Sequence, residues 1–352
     1  MNFAPLTVGD ITIPIPLVLA PMSGVTDISF RRLIRELNPG TIGLSVTEFI
    51  SVEALTRNNL RSLEMMRAAA GECPFSVQIF GHDLQRMEEA ARIVEASGAD
   101  IVDINSGCPV PKVVRRGGGC ELMRQPNHLA KLLETVRRAV KIPLTLKIRA
   151  GWDSTSVNAL EIARIAEDVG VQMLAVHGRT RAEGYRGLAD WDLIGQVARS
   201  VKIPVVGSGD VVDLDTAKER FASGVKGLMI GRGVLENPWI FTEIVSGFLT
   251  SGASQSGGWV APPAAATVDV LERYIALLLE VLPERAAIGR MKQLASQLTR
   301  RVRGSQGVRR KLCTSKSIGE FRDVLSGWRD EISVGNLDVE SVNSTNGEVT
   351  LL

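Results

Sequence analysis

Between residue 17 and about residue 240, short apolar runs alternate with longer stretches in which apolar positions recur every three or four residues. The short runs are Leu17–Ala20, Thr41–Val46, Phe75–Ile79, Ile101–Asn105, Leu144–Ile148, Met173–Val176, Val205–Val206 and Gly227–Ile230. They are too brief for helices and rich in β-branched residues, so they predict strands. The stretches between them, such as Asp83–Ser97, Asn127–Val140, Val157–Val169 and Leu214–Ala222, predict amphipathic helices. Aspartate or asparagine near the start of several supplies the side-chain acceptor that a helix N-terminus needs. Eight strands separated by helices describe βα units around a parallel sheet.

Spacing separates a closed sheet from an open one. Counted from Met22, Glu48, Gln78, Asn105, Lys147, His177, Gly207 and Gly231, the intervals are 26, 30, 27, 42, 30, 30 and 24 residues. The segment Val140-Lys141-Ile142-Pro143 recurs as Val201-Lys202-Ile203-Pro204, two units on. Regular repetition favours an α/β fold of the (β/α)8 TIM barrel type. An open doubly wound sheet binding a dinucleotide would need a GxGxxG run after its first strand, and none is present.

After the barrel the pattern changes. Residues 251–267 are rich in Gly, Ser, Pro and Ala and read as a linker. Val268–Leu282 and Ala286–Val302 regain helical periodicity, with Ile288, Met291, Leu294, Ala295, Leu298 and Val302 on one stripe. The expected organisation is a catalytic barrel over 1–250, the linker, a small all-helical domain over 268–330 and a flexible polar tail over 331–352.

Charge sharpens this division. The net charge is only +2, yet Arg285 to Gly319 holds ten Lys and Arg and no Asp or Glu. A block of that sign suits a polyanion, or else forms a solvated helical face. Aromatic residues are only 5%, which argues against a base-stacking sheet. No apolar run reaches the ~20 residues of a membrane span, and no basic leader precedes an apolar N-terminal core. Four cysteines without a CxxC pair and three scattered histidines offer no metal-ligand spacing. No metal, no membrane and no obligate protein partner are therefore expected, in a cytoplasmic setting.

A barrel of this kind places its chemistry at the carboxyl ends of the strands. The polar residues there are Glu48, Gln78, Asn105, Lys147 with Arg149, His177, Ser208-Gly209-Asp210 and Gly231-Arg232. Each alone has a structural explanation, as a cap, a turn or a paired core group. The last two loops offer backbone N–H groups and Arg232 to a phosphate. The 42-residue interval carries Cys108 between Gly107 and Pro109. A free cysteine is usually a buried hydrophobe, but one in a long loop is placed for function. A thiol of ordinary pKa stays mostly protonated at neutral pH and can act as a proton donor.

Several motifs together resemble one family. They are Pro21-Met22-Ser23-Gly24-Val25-Thr26-Asp27 with Phe30-Arg31, Asn105-Ser106-Gly107-Cys108-Pro109 with Lys112-Val113, and Lys147-Ile148-Arg149-Ala150-Gly151-Trp152. His177-Gly178-Arg179-Thr180-Arg181 and Gly231-Arg232-Gly233 through Asn237-Pro238-Trp239 complete the set. The chain is similar over roughly residues 10–245 to the tRNA-dihydrouridine synthases, most of all their bacterial B-type branch.

The resemblance implies an FMN-dependent reduction of particular tRNA uridines, with NADPH or NADH as reductant. It implies Cys108 as the catalytic acid. Pro21, Met22, Ser23, Gln78, Lys147 and His177 would hold the flavin, and Ser208, Gly209, Asp210, Gly231 and Arg232 its phosphate. The family usually has asparagine where Ser208 stands. Asn105 and Arg149 would hold the uracil edge, and Arg300, Arg301, Arg303, Arg309 and Arg310 the tRNA phosphates. Two alternatives are an FMN barrel acting on a small molecule, of the dihydroorotate dehydrogenase or old-yellow-enzyme kind, and a flavin-retaining tRNA chaperone. The basic appendage argues against the first, and the presence of both Cys108 and Lys147 against the second.

Overall fold

A computed structural model describes residues 3–250 and 259–334. The chain separates into two compact units that do not follow sequence order. Of the described residues, 29–40, 232–250 and 259–334 form one, and the remainder forms the other. The expected boundary at residue 250 falls inside the first of these.

The larger unit opens with a hairpin, β1 (Leu6–Val8) and β2 (Ile11–Ile13). The alternation Leu-Thr-Val, Gly-Asp, Ile-Thr-Ile carries this signal, and Gly9 takes the positive φ its turn requires. It is not among the strands expected from the apolar runs. The barrel strands are β3 (Leu17–Leu19), β4 (Leu44–Val46), β6 (Phe75–Phe80), β7 (Ile101–Ser106), β8 (Leu144–Arg149), β9 (Met173–His177), β10 (Val205–Ser208) and β11 (Gly227–Ile230). A two-residue strand, β5 (Ile50–Ser51), pairs with the far end of β6. All neighbours in the ring are parallel, and β11 pairing β3 while β4 pairs β6 closes it. The expected (β/α)8 barrel is the fold.

Its strands are buried on both faces, the pattern of a parallel sheet covered by helices. The helices Leu84–Ala96 and Leu214–Phe221 are capped by Asp83 and Asp213, whose side chains accept from the third backbone N–H of each helix. Val18, Ala20, Leu44, Val46, Ile101, Met173, Ala175, Val206 and Met229 share one apolar core cluster.

The other unit contains Ala265–Leu279, Glu284–Leu298, Gln306–Thr314 and Ile318–Ser333, so the all-helical expectation holds for this part. The last helix runs past the expected limit at 330. Linker residues 251–258 and tail residues 335–352 lie outside the described residues. Along Glu284–Leu298 the stripe is buried as expected except at Ile288, where Ala287 turns fully inward instead. The segment 29–40 belongs to this unit through real bonds. Ser29 donates to the Leu277 carbonyl, Arg273 forms a bidentate pair with Glu36, and Asn38 bridges the Pro238 carbonyl and the Thr242 N–H.

Candidate active site

The barrel interior changes character along its length, and the two-residue period of a strand explains how. On β7 the inward series runs Ile101, Asp103, Asn105, and on β9 it runs Met173, Ala175, His177. The apolar end of each series lies in the core cluster. The polar end lies at the carboxyl terminus of the strand. Register then assembles the ring: Gln78 faces Asp103, Asn105 faces Lys147, Arg149 faces His177, and His177 faces Ser208.

Cys108 sits just beyond β7, 6% exposed. Its backbone N–H donates to Asn105 Oδ1 at 2.9 Å, and that of Gly107 to the same oxygen at 3.2 Å. The loop is thus folded back on the strand end. Asn105 Nδ2 donates to Gln78 Oε1 at 2.7 Å, and Gln78 Nε2 donates to Asp103 Oδ2 at 2.5 Å. Burial pushes the Cys108 thiol up, against smaller opposing pulls from the Val110 N–H, Arg149 and Lys147. It is a held acid at neutral pH rather than a thiolate.

Lys147 is the opposite case. Desolvation, with the Arg149 charge beside it, brings its amine down to about 8. It donates no hydrogen bond to any described residue. Arg149 is engaged through two of its three nitrogens, its Nε on the Gly107 carbonyl and its Nη1 on the carbonyls of Thr180 and Gly184. It therefore stitches the loops after β7 and β9 together, and its cation lies 5.4 Å from the Tyr185 ring. Asn105 likewise spends its amide inside the protein. Both were expected at the uracil edge, and their visible bonds fix loops.

Past β10, Asp210 adopts φ 54° and Gly209 φ 123°. The Asp210 carboxylate accepts from Arg179 Nη2 at 2.8 Å through both oxygens, and from the Ala189 N–H at 2.7 Å. A carboxylate so neutralised does not repel an anion held by the neighbouring N–H groups. Those of Gly209 and Gly231 donate to no described residue, which leaves two donors at adjacent strand ends. Arg232 follows Gly231 and opens the short helix Gly233–Glu236. At the first strand end the Met22 N–H donates to Thr26 Oγ1, while Glu48 accepts from the Gly24 N–H, so Pro21, Met22 and Ser23 enter a fixed turn.

Two residues of the strand-end network are not among the site residues that the sequence suggested. Asp103 had a signal, since it precedes Asn105 by two positions on the same strand face. Arg179 stands in the His177–Arg181 motif, but its partner does not show there: Arg179 is 2% exposed, and only the folded loop brings Asp210 to it.

In the helical unit, Arg300, Arg303 and Arg310 are exposed, and Arg309 is half-buried with Nε on Thr299 Oγ1. Arg300 is 3.7 Å from Glu236. Arg301 departs from the expectation that it meets phosphate beside its neighbours. It is 6% exposed, and its guanidinium lies 4.5 Å from the Trp239 ring. Among the described residues no helix is long and apolar enough to cross a membrane, and no cluster of possible metal ligands is found.

A closed parallel barrel with a protonated thiol, a desolvated amine and an anion-ready pair of loops at one end defines a TIM-barrel enzyme. A model of the dihydrouridine synthase (Dus) family matches residues 18–329, so the chain belongs to that family and is an oxidoreductase. It is 39% identical over 288 residues to a probable tRNA-dihydrouridine synthase of Rickettsia conorii, covering 80% of this chain and 84% of that one. It is 43% identical to tRNA-dihydrouridine synthase B of Pseudomonas syringae pv. tomato, covering 69% and 72%. Among solved structures, 2-naphthoyl-CoA reductase aligns with a TM-score of 0.55 at 15% identity, covering 70% of this chain and 52% of that one. Morphinone reductase in complex with tetrahydroNAD aligns at 0.50 and 13% identity, covering 70% and 90%. These two show the shared barrel fold.

Proposed function

We propose that this protein reduces uridines of tRNA to 5,6-dihydrouridine, with FMN as bound cofactor and NADPH or NADH as reductant, in the cytoplasm. The observation that carries the reading is Cys108, a thiol kept protonated by burial and held by Asn105 across the register from the unpartnered Lys147. The residues present fit a flavin phosphate. The N–H groups of Gly209 and Gly231 have no acceptor among the described residues, Ser208 lies beside them, and Arg179 offsets the Asp210 charge.

FMN, when bound, supplies the hydride that goes to C6 of the uracil ring. The chain's residues do the rest. Pro21, Met22, Ser23, Lys147 and His177 would hold the flavin, with Lys147 providing a positive charge below about pH 8, while Gln78, fully buried and bonded to Asp103 and Asn105, lies behind them. Ser208, Gly209, Asp210 and Gly231 would surround its phosphate, with Arg232 next in sequence. Cys108 delivers a proton to C5, a role worth about 10²–10⁴ in rate. Asn105 and Arg149 keep the receiving loops closed around the base, which must leave its stack to reach them. The helical segment 268–330 holds tRNA phosphates through Arg300, Arg303, Arg309 and Arg310, whereas Arg301 braces Trp239.

The test is direct. Purified protein supplied with FMN should be yellow and, given reductant and unmodified tRNA, should form dihydrouridine. RNA from cells lacking it should lose dihydrouridine at defined positions. A colourless protein, or an unchanged modification map, refutes the reading.

A further inference from the structure

Beneath the Cys108 loop a line of hydrogen-bonded groups has two unlike ends. At one end lies Asp103, 4% exposed, a carboxylate that as an anion can only accept. At the other are the backbone N–H groups of Gly107 and Cys108, which can only donate. Between them stand two primary amides, Gln78 and Asn105, either of which offers its oxygen or its nitrogen in either direction. The ends remove that freedom. Asp103 Oδ2 takes Gln78 Nε2 at 2.5 Å, which turns Gln78 Oε1 toward Asn105. Gln78 Oε1 takes Asn105 Nδ2 at 2.7 Å, which turns Asn105 Oδ1 toward the two N–H groups at 2.9 and 3.2 Å. Thr145 Oγ1 secures the far oxygen of Asp103 at 2.5 Å.

We propose that Asp103 is a positioning residue for the reaction, setting through Gln78 and Asn105 the placement of the loop that carries Cys108. The role rests on Cys108 being the proton donor. Asp103 touches neither that loop nor the thiol. Its influence passes through the direction of two amide groups. Buried and satisfied at every atom, such a line has one low-energy arrangement, whereas an amide reversed within it sets oxygen against oxygen. Burial raises the Asp103 pKa, and the bonds from Gln78 and Thr145 with the charge of Lys147 oppose that rise.

The line makes an unusual demand on substitutions, because its polarity can be inverted as a whole. Asn105→Asp leaves acceptors at both ends of a single glutamine, so one of its contacts becomes repulsive. Asp103→Asn alone keeps the order, with its oxygen on Gln78 and its amide nitrogen on Thr145, and loses only charge assistance. The double variant D103N/N105D satisfies every link again. The new amide at position 103 donates to Gln78 Oε1, and Gln78 Nε2 donates to the new carboxylate at position 105. That carboxylate still accepts from the N–H groups of Gly107 and Cys108. Net charge is unchanged.

The experiment compares the parent, D103N, N105D and the double variant in two ways. One is kcat and KM with tRNA. The other is the rate at which iodoacetamide alkylates Cys108, read by mass on the tryptic peptide 93–112. N105D should alkylate faster, as the loop is released, and should lose kcat by roughly ten- to a hundred-fold, with KM for tRNA little changed. D103N should lose only a few-fold. The double variant should return toward the parent in both measurements, a second substitution repairing the first. If N105D does not fold, a soluble, slowly alkylated double variant supports the proposal. A double variant whose alkylation is no closer to the parent than that of N105D overturns it. A parent that forms no dihydrouridine refutes the proposed function instead, and leaves the alkylation comparison to decide this role.

Discussion

Arg149 and Arg179 at the strand ends of the barrel and Arg301 in the helical unit are buried in opposite ways. At the strand ends of the barrel, each buried arginine is met by several acceptors: Arg149 by three carbonyls, Arg179 by the carbonyls of Arg186 and Gly187 and by Asp210. In the helical unit, Arg301 is just as enclosed, yet its Nε and Nη1 have no hydrogen-bond partner among the described residues. Desolvation pushes its pKa down to about 10, with only Glu243 pulling the other way. Under the proposed function, the contrast follows from the tasks. Proton delivery to one carbon atom requires geometry held to a fraction of an ångström, and only a fully bonded network supplies that. Attraction of a polyanion requires charge near a surface and tolerates loose placement.

The largest effect that would break this contrast is at Cys108. Cys108→Ala should lower kcat for dihydrouridine formation by about 10²–10⁴ while leaving bound flavin absorbance intact. Loss of the flavin together with activity would show the loop to be part of the cofactor's support rather than a separate acid.

Next comes the surface. The double reversal Arg303→Glu and Arg310→Glu should weaken tRNA binding by about ten-fold or more near physiological salt. It should also flatten the dependence of log K on log salt by about 0.9 for each phosphate no longer neutralised. Filter binding over a range of salt concentrations measures both, and kcat at saturating tRNA should stay within about two-fold. An unchanged slope would reduce the basic block to a solvated face.

Lys147 sets a pH test. Its folded pKa, about 8, lies below its ordinary value of 10.5. Below pH 8 both the folded and unfolded chains hold the proton, so the folded state bears the full desolvation cost. Between 8 and 10.5 the unfolded chain binds more protons, and stability rises with pH through that window. Lys147→Met removes the cost. The variant should melt higher than the parent at pH 6–7, by about 2–4 °C for each kcal/mol gained, and the advantage should vanish as the pH approaches 10.5. Its flavin affinity should fall at pH 7, where the parent's amine is charged.

How much of this the sequence revealed depends on how local each cause is. Strand order, the barrel and the ring from Gln78 to Gly231 are written in short-range alternation and regular spacing, and they were legible. The β1–β2 hairpin is equally legible in its alternating residues, although the prolines that follow mask it beside the longer apolar runs. Asp103 needed one further step, counting back two residues from Asn105 on a strand whose inward face had been identified. The Arg179–Asp210 pair could not be found this way, because the two residues stand 31 positions apart on different loops and only the pairing of β9 with β10 brings those loops together. The burial of Arg301 was hidden for a related reason. A charge count treats all ten basic residues alike, and the short turn Thr299–Arg301 after Leu298 rotates this one inward.

Arg301→Met is the smallest of these effects and the sharpest test of the contrast. The substitution forfeits the contact with Trp239, about 0.5–2 kcal/mol, and relieves two buried donors that have no acceptor, about 1–3 kcal/mol each at most. Methionine is long and flexible enough to fill the same space. The melting temperature should therefore hold or rise slightly, against the fall usual for a change at a buried site. The salt dependence of tRNA binding should not move at all, since a side chain lying on Trp239 neutralises no phosphate. A slope reduced by about 0.9 in this one variant would mean that Arg301 leaves the tryptophan and reaches the RNA. The helical unit would then hold a concealed charge that binding draws out, and the loosely placed surface would prove as specific in its geometry as the barrel mouth.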